Sequence, residues 1–412
     1  MEGLSLVPVY SPLHDAGRVR EVVSGVLSLV SRLSGYVVSL RQPAEVGTDE
    51  EALFLVVTGG TERMLLAMVE DRRGPVILLA HPGQNSLPAA LETVARLRAE
   101  GRSVYLGYLG EDATAALEEL GRTLRLVAVH RWMHSARLGL VGAPSDWLVA
   151  SSPEPALVTR VWGPQVVPIE MEEVLARLEG VDAREVSLVK EDFVAGAAQV
   201  QEPSPDDLDR AAAAYVALRR LVDDHRLDAL TVRCFDLLKA AGTTGCLALS
   251  RLNDEGMVAG CEGDLPATVT MMLLSRLSGE PSFMGNPARI DDRQQTVWLT
   301  HCTVARRLVT SYVLRSHFES GIGVAVAGEL RRGQVTIARI GGPCLSDVLV
   351  ETGTLVATGH EEDLCRTQAV VRCPPAVSSL LGCPLGNHHV LAYGDLVREM
   401  RALRDMARAS SR

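Results

Sequence analysis

The alternation of short apolar runs with amphipathic stretches over the first 130 residues constrains the fold of this chain more than any other feature. Apolar runs of strand length occur at 4–10, 54–58, 76–80 and 104–108. Helical patterns lie between or beside them at 16–33, 62–70, 87–100 and 112–121. Strands that alternate with helices predict a parallel sheet that is covered by helices on both faces.

A second unit of the same kind is indicated from about Ala136, with strand patterns at 138–142, 166–169 and 229–233. Ser204 is expected to cap a long helix that has Pro205 in its first turn and runs to about His225. A further helix is predicted to begin at about Asp264.

The pattern changes after about Gly279 to short β-like runs with turn residues between them, which favours an antiparallel sheet or a small barrel. We therefore predict an α/β fold with two Rossmann- or flavodoxin-like parallel-sheet domains at 1–135 and 136–279. An antiparallel, β-rich, barrel-like domain at 280–412 is expected to follow them and to end in a helix.

Composition and charge narrow the class of protein. The 412 residues carry a net charge of −10 without a basic block, so nucleic acid is not an expected partner. No run of about 20 uncharged apolar residues is present, so no membrane span is expected. The N-terminus lacks the pattern of a signal peptide, and the eight cysteines form no C-x-x-C pair. These features are typical of a cytoplasmic protein with reduced thiols.

Carboxylates at the ends of two predicted strands are candidates for chemistry. Glu262, in Cys-Glu-Gly-Asp, lies in a segment of small residues that is expected to be buried, and a buried carboxylate needs a cation or a metal. Asp264 fits a helix N-cap. Asp236 follows the strand pattern at 229–233, so it could meet Glu262 over one metal ion or simply cap a helix.

Histidines further along the chain could complete such a site, because carboxylates and imidazoles bind Mn²⁺, Co²⁺ and similar ions. His301 ends an apolar run, where a structural role is the plainer interpretation. His388 and His389 precede a strand pattern, so one of them can face a site while the other supports it. His317 and Glu319 share one face of an extended segment and could contact substrate hydroxyls or each other.

These motifs resemble those of a known family. The segment from Leu249-Ser250-Arg251-Leu252 to Cys261-Glu262-Gly263-Asp264 resembles the metal-site segment of the L-arabinose isomerases. Ser282-Phe283-Met284, Thr300-His301-Cys302 and Asn387-His388-His389-Val390 are similar to that family's later motifs, in the same order. The layout of two α/β domains before a β-rich domain also resembles the L-fucose isomerases. The chain is therefore identified as a compact, divergent member of the L-fucose/L-arabinose isomerase superfamily.

The resemblance implies a metal ligand and acid/base role for Glu262, with His301 and His389 as further ligands or substrate contacts. Gly285 stands where the arabinose isomerases have a second Glu, so the fucose isomerase pattern implies Asp236 as the second carboxylate. The expected metal ligands are thus Asp236, Glu262, His301 and His389, and the expected catalytic pair is Glu262 with Asp236. Substrate contacts are expected from four residues, Asp264, Asn286, His317 and His388.

The activity that the resemblance implies is a metal-dependent aldose–ketose isomerisation of a pentose or a (deoxy)hexose through an enediol. The expected cofactor is Mn²⁺, with Co²⁺ or Mg²⁺ as alternatives, and the expected assembly is a homo-oligomer, either a trimer or a hexamer. Two other functions stay open. One is a non-catalytic sugar-binding or regulatory homologue, and the other is an epimerase or aldolase type of sugar enzyme on the same scaffold.

Overall fold

A computed structural model describes residues 2–33, 35–48, 50–72 and 74–410 of the chain. The chain divides into two compact units. The first contains the described residues up to Arg131 together with those from Asp405 onward, and the second is Trp132–Arg404.

The first unit is an α/β array around a parallel sheet with the strand order β2-β1-β3-β4-β5. Its central strands are buried along their whole length, because helices cover both faces of such a sheet. The strands are β1 (Glu2–Val9), β2 (Tyr36–Leu40), β3 (Ala52–Val56), β4 (Val76–Ala80) and β5 (Val104–Tyr108). The helices are α1 (Ala16–Val30), α2 (Glu62–Val69), α3 (Ser86–Ala99) and α4 (Ala113–Ser135), of which the residues from Trp132 onward belong to the second unit.

The second unit begins with another parallel sheet, of order β10-β9-β6-β7. Its strands are β6 (Arg137–Val141), β7 (Gln165–Ile169), β9 (Ala229–Val232) and β10 (Val258–Cys261), and the short β8 (Gln199–Val200) pairs elsewhere. The helices are α5 (Pro155–Trp162), α6 (Met171–Glu179), α7 (Ala183–Gly196), α8 (Pro205–His225), α9 (Cys234–Ala241), α10 (Cys246–Asp254) and α11 (Leu265–Ser278).

A closed antiparallel barrel of order β11-β12-β17-β16-β15-β18 completes the second unit. Its strands are β11 (Phe283–Asp291), β12 (Thr296–His301), β15 (Gly333–Gly341), β16 (Asp347–Thr358), β17 (Thr367–Arg372) and β18 (His389–Tyr393). Beside it, β13 (Val309–Arg315) pairs with β14 (Ala325–Leu330) and with β8. The remaining helices are α12 (Pro374–Gly382) and α13 (Val397–Ser410), of which the residues from Asp405 onward belong to the first unit.

The predicted fold class is confirmed: parallel-sheet α/β arrays are followed by an antiparallel barrel. The second parallel sheet and the barrel lie in one compact unit, in which α11 packs against β15 and β18. This packing brings the ends of β10, β12 and β18 into one region. In the described residues, no helix is long and apolar enough to cross a membrane.

Candidate active site

The turn between β10 and α11 fixes the position of Glu262. Glu262 and Gly263 both have left-handed backbones, with φ of 63° and 71°. A Cβ at position 263 would lie 2.7 Å from the carbonyl oxygen of Ala143, so glycine is required there. The Ser145 N–H donates to the Glu262 carbonyl at 2.8 Å. Glu262 is not a glycine, so its left-handed backbone is strained, and such strain clusters at functional sites.

The carboxylate of Glu262 is held by an indole and lies beside an imidazole. Trp147 Nε1 donates to Oε2 at 2.6 Å, while Oε1 lies 3.5 Å from Nε2 of His388. Burial raises the pKa of Glu262, but the interactions with His388, His301 and Trp147 outweigh it, so the pKa lies below its usual value. Glu262 is therefore a carboxylate at neutral pH.

Behind His388 lies a fully buried pair of opposite charges, Asp264 and Arg339. Asp264 caps α11 by accepting the Ala267 N–H at 2.8 Å, and its Oδ2 also accepts from Nη1 of Arg339 at 2.9 Å. Arg339 donates further to the His388 carbonyl at 2.8 Å and to Oγ of Ser151 at 2.6 Å. Burial raises the pKa of Asp264, but the charge of Arg339 opposes this effect, and the pKa is lowered to about 2.

The His388 ring is oriented by this pair. Its Nδ1 lies 3.0 Å from Oδ2 of Asp264, which leaves Nε2 directed toward Glu262. Burial lowers the pKa of His388, but the two carboxylates outweigh it and raise the pKa to about 9. An imidazole whose far nitrogen is bound to a carboxylate is the usual second-shell arrangement of a metal-ligating histidine.

His301, the last residue of β12, lies beside His388 with 5.5 Å between the ring centroids. Its Nδ1 lies 2.9 Å from Oγ1 of Thr303. Burial, followed by the charge of His388, lowers the pKa of His301 to about 4. The ring is therefore neutral at pH 7, as a metal ligand must be.

Glu262, His301 and His388 form a group that fits a divalent metal ion. Each offers one ligand atom, and these atoms lie within 4.8 Å of one another. Within the described residues, Nε2 of His388 is buried and makes no hydrogen bond, and the nearby Oε1 of Glu262 lies 3.5 Å away. One carboxylate oxygen and two imidazole nitrogens suit Mn²⁺, Co²⁺ or Zn²⁺.

Glu262 and His301 also line a pocket. The wall carries polar groups that can reach hydroxyls, namely Thr244, Asn286, His317 and Glu319. Among the residues that the structure describes, Oγ1 of Thr244 and Oδ1 of Asn286 are buried and have no hydrogen-bond partner. The pocket thus offers unsatisfied polar groups to a polyhydroxylated ligand.

Several residues expected at the site are brought together. Glu262 and His301 lie in the possible metal group, as does His388, which was expected to contact substrate. Asn286 and His317 line the pocket. Asp264, expected to contact substrate, instead lies fully buried behind His388, where it caps α11 and pairs with Arg339.

Asp236 and His389 are not brought into the metal group. Asp236 lies in the first turn of α9, where its Oδ2 is 3.1 Å from Nε of Arg233. Asp236 therefore pairs with a cation of its own segment, and it is not a member of the group of Glu262, His301 and His388. Nδ1 of His389 lies 3.0 Å from the Asn387 carbonyl, and adjacent residues at a strand project to opposite faces. His388, not His389, therefore faces Glu262.

Sequence reasoning missed Arg339 and Trp147. Arg339 is a lone charge in the apolar stretch of β15, and a charge in a buried strand predicts a buried partner. Trp147 lies in the turn after β6, where its sequence position carried no signal for contact with Glu262. Only the fold reveals that contact, because 115 residues separate the two.

Comparison with known proteins points to sugar isomerases. No protein-family model matches the chain. It is 24% identical to a sulfoquinovose isomerase of Alkalicoccus urumqiensis over 334 residues, which cover 77% of this chain and 74% of that protein. It is 26% identical to one of Clostridium sp. (strain MSTE9), covering 82% and 78%, and 22% identical to one of Priestia aryabhattai, covering 91% and 87%. These similarities support a sugar-isomerase family for this chain.

Proposed function

We propose that this chain is a metal-dependent aldose–ketose isomerase that acts on a pentose or a (deoxy)hexose through an enediol intermediate. The observation that carries the proposal is the group of Glu262, His301 and His388, whose ligand atoms lie within 4.8 Å of one another, beside a pocket with polar groups in its wall. The similarity of this chain to proteins named sulfoquinovose isomerase favours this activity over other functions of a carboxylate–imidazole group.

Glu262, His301 and His388 would hold the metal, which we propose to be Mn²⁺, with Co²⁺ or Mg²⁺ as alternatives. When bound, the ion supplies positive charge that stabilises the negative charge of an enediolate. His388 would bind in its neutral form, with the Nδ1 proton retained toward Asp264.

Glu262 is the proposed acid/base. As a carboxylate at neutral pH it can take the proton from C2 of the aldose and return it to C1. The strained backbone and the Trp147 indole hold its side chain in one orientation, which a proton transfer between neighbouring carbons requires. His317 and Glu319, on the pocket wall, would bind the sugar hydroxyls.

The substrate class includes the sugar named in the relatives. Sulfoquinovose is a glucose-type aldose that carries a sulfonate in place of its 6-hydroxyl, so it is itself a 6-deoxyhexose. We therefore place it in the substrate panel beside glucose, L-fucose and L-arabinose. A homo-oligomer, either a trimer or a hexamer, is part of the proposal and is tested by light scattering.

The activity is tested by product analysis of the metal-loaded protein with this panel in D₂O. A ketose formed from one aldose, with deuterium at the carbon that gains the proton, is the expected result. Glu262→Gln should abolish turnover, whereas Glu280→Gln, in an ion pair with Arg331 away from the pocket, should not. An epimer or a cleavage product would assign another sugar reaction, and binding without conversion would assign a sugar-binding protein.

A further inference from the structure

Five of the eight cysteines line the pocket of the proposed isomerase site, and the proposed mechanism uses none of them. They are Cys234, Cys246, Cys261, Cys302 and Cys365, and all are free thiols. Among them, the sulfurs of Cys234 and Cys261 lie 3.0 Å apart.

The topology of the parallel sheet brings this pair together. Cys261 is the last residue of β10 and pairs in register with Val232, the last residue of the neighbouring β9. Cys234 follows two residues later as the first residue of α9. Because an S–S bond is about 2.05 Å long, the two sulfurs need to approach by only about 1 Å.

We propose that Cys234 and Cys261 are a modification site, where a peroxide converts the two thiols to a reversible disulfide that shuts off the pocket. One sulfur attacks a peroxide oxygen, so an S–O bond forms, the O–O bond breaks and water leaves. The second sulfur attacks the resulting sulfenic acid, so the S–S bond forms and a second water leaves. Two thiols and one hydrogen peroxide thus give one disulfide and two waters.

The bond would act on the site through the backbone, and this step rests on the proposed function. Cys261 directly precedes Glu262, whose backbone is already left-handed. Gly263 is packed against Ala143 and Pro144 without spare room, so the turn cannot absorb a displacement of Cys261. The disulfide would therefore move the Glu262 carboxylate. A misplacement of about 1 Å can cost about a hundredfold in rate.

The other pocket thiols offer a competing reaction. Cys302 lies in one buried cluster with Cys246, against which Cys365 also packs. The proposal requires that the crosslink joins Cys234 to Cys261, on rigid neighbouring elements, and does not join members of this second set.

The test is to treat the full chain with hydrogen peroxide, block the remaining thiols with iodoacetamide and map the crosslinked peptides by mass spectrometry. The expected product lacks two hydrogen atoms and joins the peptides of Cys234 and Cys261. Cys261→Ser should prevent it, whereas Cys344→Ser, at an exposed cysteine, should not. A crosslink that maps to Cys302, or no crosslink, overturns the proposal. This result comes from the wild-type protein, so it holds even if the variants do not fold.

Turnover is measured on the same samples before oxidation, after it and after reduction with dithiothreitol. A loss of about a hundredfold that reduction restores is expected. Equal turnover in the oxidised and reduced protein overturns the switch. Failure of the proposed function is distinguishable, because it appears as no turnover in the fully reduced protein, whereas the mass map is independent of activity.

Discussion

The buried charges of Asp264 and Arg339 yield a prediction about the stability of the second unit. Asp264→Asn keeps an oxygen that can accept the Ala267 N–H, and Asn is as good an N-cap as Asp. The change removes the negative charge 2.9 Å from Nη1 of Arg339 and replaces Oδ2, which also lies 3.0 Å from Nδ1 of His388, by an amide NH₂, so the guanidinium is left buried without a counter-charge. Breaking a buried pair in this way typically costs about 3–5 kcal/mol.

A second route to the magnitude comes from the pKa of Asp264, which is about 2 instead of 3.8. This difference corresponds to about 2.5 kcal/mol of stability at neutral pH. We therefore expect Asp264→Asn to lower the free energy of unfolding by about 2.5–5 kcal/mol. Urea denaturation followed by tryptophan fluorescence reports the second unit alone, since it contains all four tryptophans, at positions 132, 147, 162 and 298.

The control is Asp182→Asn, at the exposed N-cap of α7, where the loss should stay below about 0.5 kcal/mol. A loss at Asp264 no larger than at this control would refute the reasoning.

The pH dependence gives a further check through His388, whose pKa is raised from 6.5 to about 9. Its stabilisation is complete below pH 6.5 and is lost as the pH rises through 9. The difference in the free energy of unfolding between wild type and Asp264→Asn should therefore decrease as the pH rises from 6.5 to 9, because Asp264 supplies part of the stabilisation by His388.

Two further substitutions test the turn that carries Glu262. Trp147→Phe removes the indole donor, so the pKa of Glu262 should rise. The acid limb of the pH profile of kcat/KM should therefore move to higher pH. An unchanged acid limb would contradict the role of Trp147. Gly263→Ala should cost more than about 2 kcal/mol in urea denaturation, because the added methyl meets backbone at 2.7 Å. Gly279→Ala has a similar φ but open space and should cost only about 1 kcal/mol, so equal losses would contradict the packing.

The fold was predictable because its signals are local. Apolar runs of strand length with helical patterns between them define both parallel sheets, and turn residues at short intervals define the barrel. The Ser204 cap with Pro205 in the first turn places α8 where the sequence predicts it, to His225. Lengths were less predictable: β16 has twelve residues, and only its end, at 355–358, carries a clear strand pattern.

The site was predictable only where a motif fixes its own geometry. Glu262 and Asp264 follow from the strand-to-helix turn, and Asp264 caps α11 as expected. The choice between His388 and His389 depends on which face of β18 meets the site, and this is set by its register, in which His389 pairs with Gly285 of β11. The direction of the Asp236 side chain depends on where β9 ends, since a shift of one or two residues at a strand end decides which way a side chain projects.

The metal group is the central claim, and Mn²⁺ titration by calorimetry tests it most directly. The account predicts one site per chain that is lost or strongly weakened in each of three variants, Glu262→Gln, His301→Asn and His388→Asn. It also predicts that two variants keep that site, namely Asp236→Asn and His389→Asn, because these side chains bind elsewhere. Unchanged binding in the first three variants, or loss in the last two, would contradict the account.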